Sequence, residues 1–348
     1  MDVRLSPEQQ ALRDGASQVV NRLGLHAVGQ LGDLERRARL RAAVEASGWR
    51  ELRIATEDGS PLASGVEPAV VAEELGRGLA DVSFLGPTLA AELRRLGGAP
   101  ASAVTETVVL AANLVTLTGA DEADDDGGPQ MALDAQDCAR ALCVVPESAG
   151  FLLAQTDLVA TPSGLDLTRP CVVLDSQSTF APVPGAERVL TTNDLVGWRA
   201  LCLSLTCADL VGVMRGAVEL SRLYALERRQ YGVAIGSFQA VQHMLADAFA
   251  SMEGARSVAL YAAWAVDALP AVEALASAAT AKAYCARAAR HVCEVAIQVH
   301  GGVGNTWECL AHVYLRRALL SGDVGGDAGR SLDRVLEQHG LGSTDGLR

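Results

Sequence analysis

Two glycine-punctuated stretches in the C-terminal half of the chain carry the residue types best suited to chemistry. The first runs Glu227-Arg228-Arg229-Gln230-Tyr231-Gly232-Val233-Ala234-Ile235-Gly236-Ser237-Phe238-Gln239, with His243 just beyond. Arg228 stands where an incoming helix should end, and its planar guanidinium offers forked donors to an anion such as a pyrophosphate. Two glycines let the chain turn, and Gln239 opens the outgoing helix; taken alone, a surface arginine before an ordinary turn is the plainer reading. The second stretch runs Gln298-Val299-His300-Gly301-Gly302-Val303-Gly304-Asn305-Thr306-Trp307-Glu308. Three glycines in four positions let a backbone approach a ligand closely, and a carboxylate follows four residues after the last. This is not the dinucleotide fingerprint, because no strand precedes it, and by itself it also reads as a helix terminator. Glu308 by itself reads as a carboxylate placed at a helix start by the dipole.

Other candidates are weaker. His243, His291, His300 and His312 offer no ligand pair on one helix face. Eight scattered cysteines (Cys138, Cys143, Cys171, Cys202, Cys207, Cys285, Cys293, Cys309) lack CxxC spacing. Neither a metal centre nor a disulfide framework is expected, and the thiols read as buried and inert. Asp121 to Gly128 is acidic enough to attract a cation but lacks the ligand spacing and bidentate glutamate of a calcium loop, so it reads as a solvated loop tip.

The elements that must position these residues fall into three zones. In residues 1–100, Ser6-Pro7-Glu8-Gln9 forms a capping box with proline at the first helical position, and Leu12, Ala16, Val19 and Val20 follow at helical spacing. A second helix is predicted over Val66 to Leu79, stopped by Gly76-Arg77-Gly78. Residues 101–190 hold short β-prone runs, Val108 to Leu110, Cys143 to Val145, Phe151 to Leu153 and Cys171 to Leu174, which predict a small antiparallel β unit. In residues 191–348 long alanine-rich helices are predicted over Leu201 to Leu226, Phe238 to Leu269 and, after the break at Pro270, Val272 to Gln298, the material of a bundle.

Composition narrows the function classes. The 348 residues are 49% apolar and 20% charged, with a net charge of -13, which excludes a largely disordered chain. The acidic balance disfavours nucleic acid and anionic membrane surfaces as partners. No apolar run reaches about 18 residues and the N-terminus lacks a signal-peptide layout, so the expected compartment is the cytoplasm. Of 29 basic residues only Lys282 is lysine.

Together the two motifs resemble those of the acyl-CoA dehydrogenase family. Arg228, Gln230, Tyr231, Gly232, Phe238 and Gln239 match its arginine loop; Gln298, Gly301, Gly302, Gly304 and Glu308 match its glutamine-glycine segment and base. Leu5-Ser6 with Glu8-Gln9, Gly48-Trp49, Glu73-Glu74-Leu75-Gly76-Arg77, Pro87 and Leu93 look like its N-terminal domain. The resemblance implies a mainly α fold with a small β domain: an N-terminal helical domain, a middle β domain and a C-terminal four-helix bundle. It implies FAD as cofactor and an acyl-CoA substrate dehydrogenated between its α and β carbons, with Glu308 as the base. The family's other base position falls near Cys202, where no carboxylate is available. The arginine loop and glycine segment would reach the adenosine diphosphate half of a neighbouring chain's FAD. Arg316 or Arg317 would hydrogen-bond near the CoA entrance, and an electron-transfer flavoprotein would take the electrons.

The departures concentrate on the ring-binding half of the flavin site. Residues 101–190 lack the family's Thr-Glu-Pro and Ala-Gly-Ser-Asp-type segments, and Trp49, Trp198, Trp264 and Trp307 all lie outside that zone. After Arg316-Arg317 the family's Tyr-Glu-Gly-Thr is replaced by Ser321-Gly322-Asp323-Val324-Gly325-Gly326, and Asn305 stands where an aromatic is common. The shortened chain therefore resembles one subunit of the α2β2 heteromeric dehydrogenases of actinobacterial steroid side-chain degradation, with a second acyl-CoA dehydrogenase-like chain supplying the missing half. The alternative is a non-catalytic subunit that only completes the partner's FAD site.

Overall fold

The computed structural model describes residues 4–120, 128–159, 164–175 and 178–341; the acidic run from Asp121 to Gly127 lies outside them. Helices α1 (Pro7–Leu23), α2 (Leu34–Ala46), α3 (Val66–Arg77) and α4 (Leu85–Leu96) come first. The Ser6 capping box is formed: its hydroxyl accepts from the Gln9 amide at 3.2 Å, and its own amide donates to Gln9 Oε1 at 2.9 Å. A six-stranded sheet follows, made of β1 (Glu106–Leu110), β2 (Met131–Ala132), β3 (Arg140–Glu147), β4 (Gly150–Asp157), β5 (Val172–Val173) and β6 (Ala181–Pro182), in the order β5-β2-β1-β3-β4-β6. The expected antiparallel unit needs correcting. The chain loops from β1 through β2 before entering β3, so β1 and β3 run parallel, with Glu106 opposite Arg140, while the other pairs are antiparallel.

The C-terminal part contains α5 (Thr192–Glu227), a hairpin of β7 (Arg229–Gln230) and β8 (Val233–Ala234), then α6 (Gln239–Ala268), α7 (Ala271–His300), α8 (Ala311–Asp323) and α9 (Ala328–Gln338). α5 starts nine residues before the apolar run at Leu201 because Thr191 and Asp194 form a second capping box. Its middle contains an 18-residue window with mean hydropathy 1.6, 89% buried inside the protein. The count of uninterrupted apolar residues overlooked this window; it is the core helix of the bundle, lying along α6, α7 and α8. α3 crosses α5 closely enough that a Cβ at Gly212 would stand 2.0 Å from the Glu73 carbonyl, which is why glycine is required there. Seven cysteines are buried and Cys138 is partly buried; all are free, and desolvation raises the Cys143 thiol to about 12 and the Cys202 thiol to about 11.

All three parts converge on one fully buried carboxylate, Asp209 of α5. Arg317 of α8 donates to Asp209 Oδ1 at 2.6 Å, and its other amino group reaches the Ala80 carbonyl and Thr168 Oγ1, both at 3.0 Å. Arg169, from the loop before β5, lies 3.1 Å from Asp209 Oδ2, which also accepts from Ser321 Oγ at 2.8 Å. Lys282 of α7 donates to the Ser321 and Val324 carbonyls at 2.8 and 2.5 Å. Elsewhere another buried guanidinium, Arg53, joins Glu92 of α4 (3.1 Å) to Asp267 of α6 (3.0 Å). Burial pushes the Asp209 carboxyl up, but Arg169 and Arg317 outweigh it and hold it below the ordinary 3.8. Its stabilising contribution is therefore present above that value and fades as pH falls through the lower folded value.

Removing Asp209 alone takes the bonded carboxylate from the buried Arg317 guanidinium and leaves Arg169 with Asp166. Asp209→Ala is expected to cost about 3–5 kcal/mol in urea unfolding, whereas the joint replacement Asp209→Leu, Arg317→Met, which keeps the Arg169–Asp166 pair, recovers part of that loss.

Candidate functional site at the end of the bundle

α6 returns antiparallel between α5 and α7, so the last two run parallel and end side by side. The Tyr224 ring of α5 stacks on the His300 imidazole of α7, with centroids 4.3 Å apart and planes 25° apart. His300 Nδ1 donates to the Ala296 carbonyl at 2.7 Å, and burial lowers the ring's pKa below 6.5, so it is neutral at pH 7. This contact ties together the ends of the two helices that lead into the sequence motifs.

The loop expected after α5 is a β-hairpin. Arg228 caps α5, its amide donating to the Tyr224 carbonyl at 2.8 Å, while its carbonyl accepts from Ile235 at 2.8 Å. Tyr231 (φ 53) and Gly232 (φ 85) form the two-residue turn with both residues left-handed that matches strand twist. Tyr231 is 94% exposed, with the Phe238 ring edge-on at 6.3 Å. Gln239 is the first residue of α6, 3.4 Å from His243 Nε2. Arg228, Gln230 and Gln239 all face solvent.

The glycine segment ends α7, as its helix-terminator reading expected, and leaves open space beside Gly301 and Gly302. Gly301 caps the helix at φ 64, ψ -143, and a tight 3-10 turn runs to Asn305. A Cβ at Gly304 would approach the Ile297 carbonyl to 2.8 Å, whereas Gly302 has open space around it. Gln298 is exposed on the last turn of α7. Glu308 lies in the next turn, before α8 begins, so it is not a first-turn carboxylate. Its side chain is exposed, and its amide makes only a long 3.4 Å hydrogen bond to Thr306 Oγ1. Among the described residues none covers the Glu308 side chain.

The structure thus gathers Arg228, Gln230, Tyr231 and Gly232 on the hairpin with Phe238 and Gln239 at the start of α6, and Gln298, Gly301, Gly302 and Gly304 at the end of α7 and the turn after it. Apolar side chains are exposed on the same segments: Leu226 (59%), Tyr231, Phe238, Val303 and Trp307 (64%). Arg317 corrects one expectation, being 1% exposed and committed to Asp209 rather than to a CoA entrance; Arg316 reaches only the Leu165 carbonyl at 3.4 Å. Cys202 lines a cavity of about 160 Å3 between β1, β4 and α5, walled also by Leu110, Phe151 and Trp198. The sequence reading missed the Asp209 hub. Its signal was the only acidic residue between Asp194 and Glu219, in the most apolar stretch of α5.

The profile of the acyl-CoA dehydrogenase C-terminal domain matches residues 204–338. The chain is 31% identical to acyl-CoA dehydrogenase IpdE2 of Mycobacterium tuberculosis over 281 residues, 80% of this chain and 79% of that protein. Among solved structures it is similar to the ChsE4-ChsE5 complex from Mycobacterium tuberculosis, with a TM-score of 0.73, 22% identity, and 98% and 99% of the two chains covered. It is also similar to a Tcur3481-Tcur3483 steroid ACAD variant, with a TM-score of 0.75, 21% identity and coverage of 97% and 99%.

The two neighbouring glycines make opposite demands. Gly301→Ala, forced to positive φ, is expected to lower unfolding free energy by about 1–3 kcal/mol, while Gly302→Ala leaves thermal unfolding of the isolated chain unchanged.

Proposed function

The chain belongs to the acyl-CoA dehydrogenase family, and from that premise we propose that it works as one subunit of a heteromeric flavoenzyme that dehydrogenates an acyl-CoA thioester, a steroid side-chain CoA ester. The observation that carries this reading is a contrast within the chain. Both motifs converge on an exposed bundle end ringed by apolar side chains, a surface suited to a second chain. By contrast, the cavity between the sheet and α5 is about 160 Å3, below the roughly 300–1,000 Å3 usual for ligand pockets.

The residues at the bundle end fit the diphosphate half of FAD. Arg228 supplies a cationic fork, Gln239 and Gln298 supply amides, and the backbone at Gly302 is open to close approach. When bound, FAD supplies the acceptor for the β hydrogen, which leaves as hydride. Glu308 takes the α proton, and its weakly engaged amide is available to the thioester oxygen, whose polarisation acidifies that proton. Because Glu308 is exposed in this chain, the substrate and the facing subunit must exclude water around it. The facing subunit is a second acyl-CoA dehydrogenase-like chain in an α2β2 assembly, and an electron-transfer flavoprotein accepts the electrons. The name of the Tcur3481-Tcur3483 structure, a steroid ACAD, supports the substrate class. Exposure of Glu308 also favours one rival, a subunit that completes its partner's FAD site while the partner carries the base.

Purified alone, the chain is expected to retain little flavin, and co-expression with its partner to give a yellow complex; a fully flavinylated, active homo-oligomer overturns the split. In the complex, Glu308→Gln is expected to lower turnover by about 10²–10⁴-fold with FAD content unchanged. Turnover that survives the substitution favours the rival.

A further inference from the structure

We propose that a cavity between α1, α3 and α6, remote in sequence from both motifs, binds a small phosphate ester that carries a planar ring. The cavity measures about 550 Å3 and is lined by Arg4, Arg13 and Arg256, with Leu5, Val70 and Leu260 as apolar surface. Tyr261, 42% exposed, adds an aromatic face beside Trp264, whose ring centroid is 5.6 Å away.

The argument rests on how carboxylates and guanidiniums are shared. Glu73 and Glu74 of α3 face four arginines. Arg215 takes the near positions, 2.5 Å from Glu73 and 2.8 Å from Glu74, and Arg77 lies 2.7 Å from Glu74. Arg13 is left 3.9 Å from Glu74, and Arg256 3.6 Å from Glu73 and 4.0 Å from Glu253. These separations exceed hydrogen-bonding distance. Among the described residues, neither the Arg13 nor the Arg256 guanidinium donates a hydrogen bond. Around the cavity Arg13, Arg77, Arg215 and Arg256 stand against Glu73, Glu74 and Glu253, one guanidinium more than the carboxylates that face them. Two guanidinium forks with unused donors match phosphate oxygens bidentately. The cavity volume admits more than a bare phosphate, and Tyr261 offers a stacking face to the rest of the ligand. The inference is independent of the dehydrogenase reading, because no residue of the hairpin or the glycine turn takes part.

Calorimetric titration of the purified protein with adenosine 5′-diphosphate and with inorganic pyrophosphate tests it. Adenosine 5′-diphosphate is expected to bind both the wild type and Arg228→Ala, which removes the arginine of the bundle end. Its affinity should fall at least tenfold in the double variant Arg13→Gln, Arg256→Gln and be partly restored by lysine at both positions. Tyr261→Ala should weaken the nucleotide but leave pyrophosphate binding unchanged, a readout that survives if the double variant does not fold. Absence of nucleotide binding by the wild type, or binding that vanishes in Arg228→Ala and persists in the double variant, overturns the proposal.

Discussion

The fold depends on the pairing of one buried charge. An aspartate with no exposure in the middle of an apolar helix is tolerable only if cations and hydrogen bonds replace its water. Asp209 draws those groups from everywhere: Arg317 from α8, Arg169 from the loop before β5, and Ser321 from the end of α8. Arg317 then passes the constraint on to the Ala80 carbonyl, at the exit of α3. The N-terminal helices, the sheet and the bundle are thereby fixed to a common point. Arginine suits this role, because its fork satisfies several acceptors at once and its charge survives burial. Lys282, the single lysine, bonds only to the two carbonyls of the α8 terminus, and desolvation lowers its pKa to about 8.

That anchoring has a consequence at the far end of the bundle. With α5 held along α7, their parallel C-termini arrive together, and the Tyr224–His300 stack sets their relative height. The hairpin after α5 and the glycine turn after α7 then face solvent side by side, although about 70 residues separate Arg228 from Gln298 in sequence. A site assembled in this way is rigid where it leaves the helices and open where it faces outward. Such a surface can bind a partner without giving up core packing.

Much of this was legible in the sequence for identifiable reasons. Ser6 and Gln9 announced a helix start, Pro270 a break, and the spacing of Arg228, Gly232, Gln239, Gln298 and Gly302 both motifs, because caps, breakers and turn residues act locally. The parallel pairing of β1 with β3 was not legible: strand order depends on contacts between distant segments, and the β-prone runs looked the same in either direction. Arg317 was misread for a related reason. The family resemblance put Arg316 or Arg317 near the CoA entrance, while the partners of Arg317, Asp209 and Thr168, lie more than 100 residues away. The exposure of Glu308 could not be read either, since burial of a turn residue depends on what the fold places over it.

The filled interior and the open bundle end are two sides of one constraint. A crevice between sheet and bundle can either hold a large planar ligand or be closed by side chains that join the two layers. Here the Asp209 hub and the tail behind α8 close it, with the Gly325 amide donating to the Leu114 carbonyl at 2.7 Å. A Cβ at Gly325 would stand 2.4 Å from Leu203 of α5, so the tail fits the helix too closely to share that space with a ligand. Closing the crevice adds ionic and hydrogen-bonded links between layers, which favours a stable single chain. Arg228, Glu308, Tyr231 and Trp307 stand outside those links, exposed at the bundle end, so they can change without loosening the contact between the layers.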